Sequence, residues 1–94
     1  MKHVNRNTFV LVENLKPYQL YRNSHWGITY ILSLVPTNSY TSYRLENNMT
    51  FLVLETKETD LSNNDYSYFV KILTIHGIHW FYPGDNSMFE ELVV

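Results

Sequence analysis

Met49-Thr50-Phe51-Leu52-Val53-Leu54-Glu55, then Tyr66-Ser67-Tyr68-Phe69-Val70-Lys71-Ile72-Leu73-Thr74-Ile75, then Ile78-His79-Trp80-Phe81-Tyr82 are the three runs that decide the fold. Each is dense in β-branched and aromatic residues, and none repeats its apolar positions at the helical period. The middle run alternates, with Tyr66, Tyr68, Val70 and Ile72 on one face and Ser67, Phe69, Lys71 and Leu73 on the other, so one face belongs to a core. Gly77 is free to take a left-handed conformation, which joins the second and third runs by a hairpin. Residues 57–64 are polar, include Asp60, Ser62, Asn63 and Asn64, and read as an exposed hairpin loop between the first two. The expectation is an antiparallel meander.

Working outward, Phe9-Val10-Leu11-Val12-Glu13 fits a first strand ended by Asn14. Residues 15–24 read as a long extended loop, because Pro17 lacks a donor and biases Lys16 to extended geometry. Residues 28–35 are strand-like, Pro36-Thr37-Asn38-Ser39 supplies a turn, and residues 40–45 make a short return strand. Asn47-Asn48 suits a tight turn, since asparagine tolerates positive φ. Pro83-Gly84-Asp85-Asn86-Ser87 breaks the last meander strand, a helical turn follows at residues 87–89, and the chain closes on a short strand. The sum is an all-β protein, a small antiparallel barrel of five to seven short strands with at most one short helical turn near the C-terminus. Residues 1–94 form one domain, residues 1–7 being a loose N-terminal arm.

Composition narrows the function. In 94 residues alanine is absent while asparagine occurs ten times and tyrosine eight, a bias that disfavours helix and fits an AT-rich gene such as those of many large bacteriophages. There is no cysteine, which excludes a disulfide framework, a zinc ribbon and a thiol nucleophile, and the expected compartment is the cytoplasm, the host's if the gene is a phage's. Seven basic against nine acidic residues argue against a strongly basic nucleic-acid binder, and the scattered carboxylates argue against a DNA mimic. The polar start of the chain lacks the apolar run of a signal peptide, and no stretch approaches the ~20 apolar residues of a membrane span. No membrane association is expected.

The order of elements resembles the Src-homology-three-like barrel. The likeness is carried by Leu15-Lys16-Pro17-Tyr18-Gln19-Leu20-Tyr21 at the long loop, Phe51-Leu52-Val53-Leu54-Glu55 in the middle, Val70-Lys71-Ile72-Leu73 with Gly77-Ile78-His79-Trp80-Phe81 near the end, and the closing Tyr82-Pro83 to Glu90-Glu91-Leu92-Val93. It covers about residues 8–94. The resemblance implies that Tyr18, Tyr21 and Pro83 correspond to parts of the family's proline-peptide surface. Met49-Thr50 stands where that surface has a tryptophan, and Phe89 where it has a tyrosine.

Candidate chemistry is sparse. His76-Gly77-Ile78-His79 has a metal-like spacing that His25 or His3 could complete, yet residues three apart on a strand face opposite ways, so two turn histidines and no metal are expected. Ser24, His25, Asp60 and Asp85 sit in no recognisable nucleophile motif, and Gly27, Gly77 and Gly84 form no phosphate loop. Glu90-Glu91 reads as solubilising an edge strand. Neither catalysis nor a cofactor is expected. Fifteen aromatic side chains, in contrast, exceed what a core of this size needs. Tyr18, Tyr21, Trp26, Trp80 and Tyr82 are the candidates for an exposed patch, because tyrosine and tryptophan bring large contact area with a polar handle.

The expected function is therefore a non-enzymatic protein-binding module, a small phage accessory protein that modulates or inhibits a host protein by occlusion. Two alternatives stay open. One is a single-stranded nucleic-acid binder that stacks bases on the same aromatic patch, flanked by Arg22, Arg44 and Lys71; the other is a structural component of a larger assembly. A homodimer through a free sheet edge is a further expectation.

Overall fold

Alternating burial builds the sheet from its middle outward. In a computed structural model, which describes residues 8–25, 27–36, 39–58 and 68–93, the meander consists of β5 (Thr50–Glu58), β6 (Tyr68–Thr74) and β7 (Gly77–Phe81). Earlier in the chain lie β1 (Thr8–Leu11), a single 3-10 turn (Val12–Asn14), β2 (Leu20–Arg22), β3 (Tyr30–Ser33) and β4 (Tyr40–Leu45), and β8 (Met88–Glu91) ends it. Val53 pairs with Ile72, Ile72 with His79 and Val70 with Phe81, so all five share the buried face. The turn conformations follow from residue type: Gly77 takes φ 98° and Asn48 φ 69°, values that residues with other side chains rarely adopt.

All pairings are antiparallel, in the order β1-β8-β2-β5-β6-β7-β3-β4. The sheet curls over its own core. Tyr30 of β3 meets Phe89 of β8 at 5.7 Å between ring centroids, and its hydroxyl bonds Ser87 Oγ at 3.0 Å, although β2, β5, β6 and β7 lie between the two strands. Inside the curl, Phe51, Phe81 and Phe89 contact one another edge to face at 5.4 to 5.8 Å. Such pairs contribute about 0.5 to 1.5 kcal/mol each beyond area burial. Val12, Leu15, Leu32 and Leu45 complete the core.

One buried polar side chain ties the strands' ends together. Asn23 follows β2, and its Nδ2 donates to the carbonyls of Ile28 (2.7 Å), Leu45 (3.2 Å) and Glu46 (3.1 Å). Its backbone adds bonds to Met49 O and from Asn48 N.

Three expectations need correction. The sheet has eight strands and is open, since no pairing joins the edge strands β1 and β4 among the described residues. The added strand is β2, inside the segment expected to be loop: Tyr18 at φ 66° reverses the chain after Pro17, Tyr18 N bonds Val53 O, Val53 N bonds Gln19 O, and the following residues pair with β5 and β8. The helical turn lies at Val12–Asn14, near the N-terminal end, whereas Met88 and Phe89 are extended because they pair with Leu11 and Val10. The N-terminal arm and most of the expected loop at residues 57–64 lie outside the described residues; Lys57 and Glu58 continue β5.

Candidate functional site

The face of the sheet turned away from the core holds the candidate site. Because Val53, Val70, Ile72, His79 and Phe81 point inward, their alternates on β5, β6 and β7 point out. An irregularity in β5 between Val53 and Glu55 shifts the register by one residue, so Leu52 and Glu55 share the outward face. Across the register, Leu20, Leu52, Leu73 and Ile78 form one row over β2, β5, β6 and β7. The next row runs Glu55, Lys71, Trp80, Ser33, Tyr40 over β5, β6, β7, β3 and β4.

The second row borders a small shallow cleft of about 20 Å³, lined by Ile31, Ser33, Tyr40, Phe69, Trp80 and Tyr82 with core Phe81 beneath them. Two of the lining rings, Phe69 and Tyr82, stack with centroids 4.4 Å apart. Lys71 Nζ lies 5.9 Å from the Trp80 ring centroid, within cation–π reach. Register also places Lys57 beside Phe69 and Arg44 beside Ile31, giving an aromatic cleft a mainly basic rim.

The five expected patch residues do not gather in one place. Trp80 and Tyr82 line this cleft. Tyr18, 79% exposed, stands instead at the turn before β2, beside an open depression lined by Gln19, Leu20, Leu52, Glu91 and Val93. Tyr21 is fully buried: β2 inserts between β5 and β8, turning its ring against Phe51 and its hydroxyl toward the Lys16 amide, which donates to it at 3.0 Å. Burial, against the opposing effect of that bond, raises the Tyr21 pKa, with the Glu91 charge adding to the rise. Trp26 lies outside the described residues. Phe69, Ile31 and Tyr40 join the cleft only through pairing, although Phe69's place opposite Val70 was readable from alternation.

The other constellations resolve into packing. Tyr43 stacks on His76 (4.5 Å) and meets His79 edge-on (5.6 Å), so a ring separates the two histidines. His79 is buried, not a half-exposed turn residue, and its Nδ1 has no hydrogen-bond partner. Ser24 Oγ donates to Glu90 Oε1 at 2.8 Å, and Arg22 Nη1 approaches the same oxygen at 3.7 Å. Glu90 is therefore a buried, bonded carboxylate on a strand flanked by β1 and β2, and the expected role in solubilising an edge does not hold. Asp60 lies outside the described residues, and His25 packs its ring on Phe9 at 5.5 Å.

Among the described residues no three His, Cys, Asp or Glu side chains are grouped to hold a metal, and no helix is long and apolar enough to cross a membrane. Comparison with protein-family models, curated proteins and solved structures gives no match.

Proposed function

We propose that this chain is a non-enzymatic protein-binding module that acts by occlusion, seating the aromatic cleft of Trp80, Tyr82 and Tyr40 on a folded partner. The observation that carries this reading is the outward placement of those rings beside Ile31 and Phe69, with Lys71 held over Trp80. Ring-rich clefts with polar rims concentrate binding energy, because they bury large area at little rotamer cost. The alanine-free, asparagine-rich composition supports a phage origin and hence a host protein as partner. The adjacency of β1 and β8, the β5-β6-β7 meander and Pro83 before the last strand support an extended Src-homology-three-like arrangement.

Affinity capture from the native host's lysate tests this reading. Wild-type bait retains a defined protein that Trp80→Ala bait of equal melting temperature loses; equal retention by both refutes the cleft. A second reading has its own support, since Lys57, Lys71 and Arg44 around stacked rings also suit a single nucleic-acid strand. It ranks lower because the chain's net charge is −2. It requires oligonucleotide affinity that falls steeply as salt rises.

A further inference from the structure

Beyond the cleft, we propose that the aliphatic row is a contact between two copies of this chain, stacked face to face about a two-fold axis running along the strands between β5 and β6. A two-fold contact brings one patch onto itself, so a residue on one side of the axis meets what lies at the same distance on the other side. Leu52 then faces Leu73 of the second copy, and Leu20 and Ile78, one strand further out on each side, border that contact. All four side chains are apolar. In the neighbouring row the two positions flanking the axis are Glu55 and Lys71, so each carboxylate meets an ammonium of the other copy.

That opposite pairing is what selects a second copy over another occupant. Two like charges flanking the axis would repel across it, whereas Glu55 and Lys71 complement each other under the symmetry. Among the described residues no ion pair joins them within one chain, and Lys71 leans over Trp80 instead. Leu73 and Ile78 are exposed as well, leaving apolar area that a facing sheet would cover. The outward face of the curled sheet is convex, so two copies touch along the line between β5 and β6 and leave the cleft beside β7 open. The four strands of the row span only ~14 Å at their usual spacing, smaller than a standard interface, so the dimer is weak and concentration-dependent.

Sedimentation velocity from about 5 to about 500 µM, a range that brackets a weak interface of this kind, is the test. Wild type shifts from monomer to dimer across it. Glu55→Lys and Lys71→Glu each weaken association at least about tenfold, since each puts like charges face to face on both sides of the axis. Mixed in equal amounts, the two variants regain the dimer, because only the mixed pair restores opposite charges twice; within each chain positions 55 and 71 stay alike, so intrachain repair cannot explain it. Leu73→Lys, which leaves both charges in place, also gives monomer. A wild type that stays monomeric throughout overturns the proposal and leaves the row to a different partner. It is equally overturned if the single variants dimerise normally or if their mixture stays monomeric.

Discussion

Replacing Asn23 with alanine removes an amide whose two N–H groups serve three carbonyls, one N–H being shared between two of them. Its Nδ2 reaches Ile28, Leu45 and Glu46 at 2.7 to 3.2 Å, and the residue is 1% exposed, so water does not take its place without rearrangement. At about 0.5 to 1.5 kcal/mol net for each bond, and more for a buried carbonyl left unpaired, the loss is about 2 to 4 kcal/mol. For a domain near this size each kcal/mol lowers Tm by roughly 4 to 8 °C, so the melt falls by roughly 8 to 32 °C. The backbone bonds of Asn23 to Met49 and Asn48 persist, which confines the damage to the side chain. Asn23→Asp is worse than alanine at neutral pH, since a carboxylate would face three carbonyl oxygens, and the gap narrows in acid as that carboxyl protonates. Urea unfolding followed by fluorescence measures both at constant slope. A cost below about 1 kcal/mol for alanine, or an aspartate variant as stable as wild type, would refute this account of how β2 is anchored.

Tyr18→Gly should leave stability unchanged or raise it by up to about 1 kcal/mol, because φ 66° costs a side-chain-bearing residue about 1 to 2 kcal/mol while glycine costs part of that in unfolded-chain entropy. Tyr18→Val should lower it; chemical denaturation of the pair checks the sign. Tyr21 has its folded pKa raised above 10.0, so its contribution is complete below that pH and is lost as pH climbs through the higher folded value. Tyr21→Phe accordingly loses about 1 kcal/mol at neutral pH with the Lys16 bond, yet unfolds less readily in alkali, as stability measured across pH 8 to about 12 will show. Phe89→Ala opens the edge-to-face cluster and should cost about 3 to 5 kcal/mol, measurable by calorimetry.

The meander was legible because its pattern is local: alternation put Val70 and Ile72 on one face, which the structure buries, Gly77 and Asn48 announced their own turns, and β4 matches the expected residues 40–45. Strand β2 was not, because three residues after a proline carry too little periodicity, and what makes them a strand is the pairing of Leu20 with Leu52 and of Arg22 with Thr50. Barrel closure likewise depends on contacts between distant edges that no local pattern encodes. The site was half legible. Composition flagged an aromatic surplus, and Trp80 and Tyr82 do face outward, whereas Tyr21 became core through β2. The cleft's other walls, Ile31 and Tyr40, arrive from a hairpin whose neighbour, β7, is set only by the pairing of Ser33 with Trp80. Glu90 was misread for the same reason: a strand's place at the edge or the interior of a sheet is a property of topology.

Site-specific photo-cross-linking in the native host's lysate tests the central claim most directly. A photoreactive side chain at Tyr40 or Tyr82, on the outward cleft, should trap one and the same protein, whereas the same group at exposed Glu13 or Asn47, away from it, should trap none. Equal adducts from all four positions, or adducts from Glu13 and Asn47 alone, would contradict the assignment of the outward face as the docking surface.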